Sequence, residues 1–212
     1  MTEVFKRIIT SILLLILLVL SFNNIYILFL SLLICCYEIF YETFLILKKI
    51  YINKSKQNLY ILLLVSLSYI TYVNIEIFNI FINNIDEKRI LLYLIITVCV
   101  LSDIGGYIFG KTFKGKKLTK ISPKKTYSGM TGSYLISITV SLYLFNNHYE
   151  IKELIILSFL ISSISQSGDL FISFLKRKAK LKDTGSIFPG HGGILDRFDG
   201  LIFAIPLGLA IL

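Results

Sequence analysis

The chain has only three cysteines and two histidines in 212 residues. Cys35, Cys36 and Cys99 all fall inside apolar runs. Their spacing matches no metal site, and a disulfide at membrane depth is not expected, so they read as small apolar fillers. His191 has no cysteine near it, which excludes a zinc centre. His148 stands apart among Asn146, Asn147 and Glu150 and reads as a solvated loop residue. Charge is scarce too: charged residues make up 17% of the chain against 55% hydrophobic, and the mean hydropathy is +0.77. A soluble domain of this size has too much surface to hide that much apolar area. There is no internal repeat, no long linker and no candidate soluble domain.

What the chain does have is a succession of apolar runs near or above the ~18 residues that signal a spanning helix. Candidate spans are 8–22, 25–47, 59–82, 90–109, 130–146, 154–174 and 200–212. The fold class predicted is all-α, a polytopic integral membrane protein with about seven transmembrane helices. The first span, preceded by Lys6 and Arg7, imitates a signal peptide but lacks an A-x-A-like cleavage site, so an uncleaved helix is expected. The formal net charge of +9 would suit nucleic acid, but its distribution argues against that partner. With the N-terminus cytoplasmic, nineteen of the twenty-two bases fall on one side, and only Lys88, Arg89 and Lys152 fall on the other. This is the positive-inside asymmetry, with some attraction to anionic headgroups of the bilayer added.

Residues 1–89 read as a transmembrane scaffold and 90–212 as a catalytic half, with cytoplasmic loops at 110–129 and 175–199, the two forming one structural unit. In the scaffold, Glu38 and Glu42 share a helical face. Acids inside a span are functional candidates, but these two equally mark a cytoplasmic helix end beside Lys48 and Lys49. Asn74 beside Glu76 suggests a kink or an exit from the membrane.

Polar residues gather after residue 90. Asp103 and Tyr107 lie one helical turn apart, and Gly105, Gly106 and Gly110 leave room for close backbone approach or a break in the helix. The loop that follows holds seven lysines. Its GKTFKGKK stretch has no preceding strand and no Ser or Thr after the lysine pair, so it is not a Walker-type loop. In Ser122-Pro123-Lys124-Lys125-Thr126, proline sets a turn that can aim two ammonium groups and two hydroxyls at a polyanion. The same lysines also serve as plain positive-inside charge.

Residues 165–199 hold four of the thirteen acids, six of the bases and one histidine. Ser162, Ser163, Ser165, Gln166, Ser167, Gly168 and Asp169, followed by Ser173, Lys176 and Arg177, look like the lining of a cavity. Asp169 is alternatively only a partner for Lys176 or Arg177. Further on come Lys182 and Asp183, the glycine-flanked His191, and Asp196, Arg197 and Asp199. Three carboxylates (Asp169, Asp196, Asp199) among bases suit Mg²⁺-assisted phosphoryl or nucleotidyl transfer: hard oxygens hold the ion, and the bases offset charge building on phosphoryl oxygens.

Read from Ser173 to Asp199, the pattern S-x-x-K-R-x4-K-D-x-G-x3-P-G-H-G-G-x2-D-R-x-D resembles the signature of the phosphatidate cytidylyltransferases, or CDP-diacylglycerol synthases. The likeness extends to Ser122–Thr126, to Asp103 with Tyr107 and Gly110, to Gln166, Gly168, Asp169 and Leu170, and more loosely to Arg7–Thr10. It implies an inner-membrane enzyme, multi-pass and with its site facing the cytoplasm, that joins CTP to phosphatidate and releases pyrophosphate. By that resemblance Asp169 and Asp196 bind Mg²⁺. Lys124, Lys125, Lys176, Arg177, Lys182 and Arg197 offset phosphate charge. His191 either donates a hydrogen bond to a phosphate or shapes the turn, and Asp199 orients a ligand or binds a second cation. Ser122, Thr126, Gln166 and Ser173, with Asp103 and Tyr107, are expected to contact substrate. Two features depart from the family: Tyr127-Ser128 stands where an acid usually follows the aromatic residue, and the chain is shorter than most members.

The nearest rival is a CTP-dependent kinase of polyprenols or other lipids, and a further one is a synthase acting on an unusual phosphatidate. A membrane transporter is the rival from another class. It would spread polar residues through the spans and show an inverted repeat, neither of which is seen. The last span, at ~1.5 Å per residue, falls short of the ~30 Å hydrocarbon core. It is expected to tuck among other helices, extend backward from Asp196, or pair with a second copy in a homodimer.

Overall fold

The computed structural model of the chain describes residues 3–52, 56–119, 121–185 and 192–211. They form eight helices: α1 (Glu3–Asn23), α2 (Ile25–Ile50), α3 (Lys56–Ile82), α4 (Asp86–Thr112), α5 (Tyr127–Phe145), α6 (Ile151–Lys178), α7 (Leu195–Phe198) and α8 (Leu201–Ile211). Among the described residues there is no strand, only an isolated antiparallel bridge between Lys117 and Thr126. Seven helices stand where the apolar runs predict spans, and α7 is a single turn. Four of them (α2, α3, α4 and α6) are long and apolar enough to cross a membrane, and α1 adds the shorter apolar stretch Ile12–Asn23. Leucine, isoleucine and tyrosine side chains stay exposed along α1, α2 and α3. An apolar surface on that scale belongs against lipid, and the protein is an all-α polytopic membrane protein.

The chain divides into two compact units. The first comprises residues 1–85 and 175–198. Asn24 ends α1 and caps α2, its side-chain oxygen accepting from the Tyr26 and Ile27 amides at 2.9 and 3.4 Å, which satisfies donors that a helix start leaves open. Leu28, Ile39, Ile46, Ile70 and Ile80 form the core of this unit, with Phe22 stacked on Phe81 at 5.2 Å. Asn74 does not end α3. Its amide donates to the Ile70 carbonyl at 2.7 Å, a local bond that satisfies the side chain within the helix, and α3 runs on to Ile82.

The second unit comprises residues 86–174 and 199–212. Leu92, Leu94, Ile95, Val98, Leu154, Ile161 and Ala204 are buried in its centre. Of the two alternatives for the α4 glycines, a break and a close approach, the close approach is the one found. A Cβ on Gly105 would lie 2.5 Å from the Gly132 carbonyl oxygen, and one on Gly106 would lie 2.9 Å from Ser133 Oγ. Glycine therefore lets the main chains of α4 and α5 touch. Serines complete the seam: Ser133 Oγ donates to the Ser102 carbonyl at 2.6 Å, and the Ser102 and Ser162 hydroxyls bond at 2.9 Å. In an apolar medium such hydroxyls need partners inside the protein.

Candidate active site

Between α4 and α5 the chain doubles back on itself. The Leu118 amide donates to the Lys125 carbonyl at 2.8 Å, and the Tyr127 amide to that of Lys116 at 3.1 Å. The Lys125 amide bonds the Ser122 carbonyl at 3.1 Å and closes the turn that contains Pro123. Thr126 then starts α5 as its N-cap, its hydroxyl accepting from the Gly129 amide at 3.1 Å. The Ser128 hydroxyl lies 3.0 Å from that of Thr126 and bonds the Lys114 carbonyl. Where the sequence lacks the usual acid, a neutral hydroxyl thus ties the two ends of the loop together.

This turn walls a cavity of about 310 Å³. Helix α4 contributes Asp103 and Tyr107, the turn contributes Ser122, Lys124, Lys125 and Thr126, and α6 contributes Gln166 and Asp169. Of the residues expected to contact substrate, only Ser173 does not line it. Its hydroxyl instead donates to Asp169 Oδ1 at 3.3 Å. Lys125 Nζ pairs with Asp169 Oδ2, a partner that helical spacing alone does not suggest. The Gln166 amide donates to the Ser162 hydroxyl at 3.1 Å, which turns the side chain by way of the serine seam. Gly106, Gly129 and Ser133 also face the cavity, a role that sequence reasoning did not assign to them.

Within the first unit, Asp196 is held by three bonds and stands beside a shared hydroxyl. Lys176 Nζ lies 2.6 Å from Oδ1. Oδ2 accepts from the Thr184 amide at 2.8 Å and the Gly193 amide at 3.1 Å, and lies 3.0 Å from the Thr184 hydroxyl. Burial alone would raise the carboxyl pKa; the Lys176 ammonium and the two amides outweigh it and hold the group below the ordinary carboxylate range. Both members of the pair are nearly closed to solvent, with side chains 11% and 9% exposed.

The other expected residues are placed less centrally. Arg177 Nη1 donates to the Leu181 carbonyl at 3.2 Å beyond the end of α6. Lys182, Asp183 and Arg197 are exposed. Asp199, which belongs to the second unit, accepts from the Gly200 amide at 2.9 Å. His191, with Pro189 and Gly190 before it, lies outside the described residues. His148 is exposed, as its loop position predicts. Asp169 and Asp196 belong to different units. Among the described residues no three His, Cys, Asp or Glu side chains gather as a ready metal cluster.

Sequence reasoning underrated two residues. Glu42 is 1% exposed and accepts from the Thr184 hydroxyl at 2.6 Å and from the Ile194 and Leu195 amides at 2.9 Å each. Thr184 occupies a free position of the signature, yet its hydroxyl stands between the Glu42 and Asp196 carboxylates.

Fold and site together define a helical membrane protein with a polar cavity built from lysines, hydroxyls and carboxylates. Within that class the chain belongs to the Cytidylyltransferase family, whose model matches residues 2–212. It is 43% identical over 142 residues to a phosphatidate cytidylyltransferase of Rickettsia typhi, a match covering 62% of this chain and 62% of that protein. The protein of the same name from Rickettsia prowazekii is 44% identical over 142 residues, with the same coverage of both chains. That from Staphylococcus epidermidis is 39% identical over 142 residues, covering 65% of this chain and 54% of its own length. The chain thus matches somewhat less than two thirds of the length of these curated relatives.

Proposed function

We propose that the protein transfers the cytidylyl group of CTP to phosphatidate, giving CDP-diacylglycerol and pyrophosphate at the cytoplasmic face of the inner membrane. The observation that carries this reading is the cavity of the second unit, where Lys124, Lys125, two hydroxyls and Asp169 converge. The names of the relatives support the substrate pair.

In the reaction a phosphate oxygen of phosphatidate attacks the α-phosphorus of CTP. A new P–O–P linkage forms as the bond to the β-phosphate breaks, and the electron pair leaves with pyrophosphate. Phosphatidate is anionic at neutral pH, so the difficulty is to bring two polyanions together rather than to remove a proton. Lys124 and Lys125, aimed by the Pro123 turn, meet that need as fixed positive charge. Ser122 and Thr126 add hydroxyl donors, and Gln166, held by Ser162, adds an orienting amide.

Mg²⁺ would suit the carboxylate oxygens that Asp169, now paired with Lys125, and Asp103 offer to one cavity, and this ion usually keeps water and substrate phosphates as its other ligands. When bound it would offset phosphate charge and polarise the α-phosphorus. Ser173 would hold the Asp169 carboxylate toward such a ligand. Asp196 supplies a second carboxylate of the same chemistry within its own unit.

The test is product analysis of the purified full chain with CTP, Mg²⁺ and phosphatidate, beside Asp169→Asn. CDP-lipid and pyrophosphate are expected, with turnover in the variant reduced about 100-fold or more, as for loss of a charge-stabilising group at a reacting centre. CDP together with a phosphorylated prenol would overturn the reading in favour of a lipid kinase.

A further inference from the structure

We propose that Glu42, on α2, is a positioning residue that fixes the Asp196 carboxylate through the turn at Gly193–Leu195 and through Thr184. The catalytic part of this inference rests on the cytidylyl-transfer reading; the anchoring part stands on the first unit alone.

Glu42 is nearly fully buried on an apolar helix. A carboxylate there is costly to keep and is retained where specific partners hold it. Among the described residues no lysine or arginine pairs with it; its three partners are the Thr184 hydroxyl and the amides of Ile194 and Leu195. Those two amides belong to the residues immediately before Asp196. The amide before them, that of Gly193, donates to Asp196 Oδ2 at 3.1 Å. Three consecutive N–H groups are therefore divided between two carboxylates, which together hold one turn.

Thr184 joins the two grips. Its amide holds Asp196 at 2.8 Å, and its hydroxyl lies within bonding distance of both acids. That hydroxyl has one hydrogen to donate, so its position couples the two carboxylates. The turn is also shaped to admit Glu42: a Cβ on Gly185 would lie 2.5 Å from Glu42 Oε1, and a Cβ on Gly193 would collide with both carboxylate oxygens. Glycine at these places leaves the acid its room.

A side chain that merely filled space would be replaceable by another of similar volume. One that holds the peptide groups leading into Asp196 is not. In Glu42→Gln the amide group must turn its N–H₂ toward at least one of the three donors, leaving that donor unpaired.

The experiment uses the full chain in lipid nanodiscs and compares wild type, Glu42→Gln, Thr184→Val and Thr184→Ser. Two quantities are read: amide hydrogen exchange over residues 192–198, and kcat and KM for CTP with phosphatidate and Mg²⁺. The positioning role predicts faster exchange in Glu42→Gln and Thr184→Val. It also predicts a kcat about 10–100-fold lower, the usual effect of losing a partner that orients a ligating group, with KM for CTP within about twofold. Thr184→Ser, which keeps the hydroxyl, restores both. Unchanged exchange overturns the inference, and so does faster exchange with kcat intact. If Glu42→Gln does not fold, the two Thr184 variants decide. If wild type makes no CDP-lipid, the functional reading fails separately, and exchange alone then supports or overturns the anchor.

Discussion

Lys176 and Asp196 form an ion pair nearly closed to water. Removing one member of such a pair leaves the other buried and uncompensated, which costs about 3–5 kcal/mol. Lys176→Met is therefore expected to lower the thermal unfolding midpoint and to abolish turnover, measured on the same purified sample. The pair also sets a pH dependence. The folded-state pKa of Asp196 lies below its unfolded value, so the carboxylate contributes stability that is complete above the ordinary carboxylate pKa. That stability is lost as pH falls through the lower, folded-state value. Unfolding followed down the acid range should show this loss in wild type and not in Asp196→Asn. At this scale Asp169, Asp196 and the lysines were legible from sequence because they sit in dense, ordered motifs. Glu42 was legible only as an ambiguous acid near a helix end, since its partner Thr184 is 142 residues away and no local spacing connects them.

At the scale of elements, the contact between α4 and α5 is made by main chain where Gly105 meets Gly132. A larger side chain there must push the helices apart. Gly105→Val should cost about 1–3 kcal/mol, as overpacking does, read as a lower unfolding midpoint, and should raise KM for CTP because both helices wall the cavity. Apolar runs located seven helices well because backbone groups in lipid have few alternatives to a helix. They could not say whether the α4 glycines break the helix or let a neighbour approach, because that depends on what lies opposite. Asn74 shows the same limit: its side chain bonds the carbonyl one turn back, a contact that sequence alone does not reveal.

For the whole molecule, the lysine asymmetry supports a definite orientation, with the 111–125 loop on the cytoplasmic side. In a background with Cys35, Cys36 and Cys99 replaced by alanine, an impermeant maleimide applied to intact cells should label Lys152→Cys and spare Lys116→Cys. The reverse pattern would overturn the proposed topology. The membership of segment 175–198 in the first unit was not legible from the sequence, because it lies far along the chain from residues 1–85 with which it clusters.

The glycine seam between α4 and α5 also bears on the thermodynamics of ligand capture. Where Gly106 and Gly129 form the cavity wall, there are no rotamers to freeze when a ligand arrives. Immobilising a flexible side chain at a binding surface costs about 0.5–1.5 kcal/mol each time. On this part of the wall that ordering is complete when the helices pack, so the entropy penalty of capture falls mainly on flexible side chains such as Lys124 and on the ligand itself.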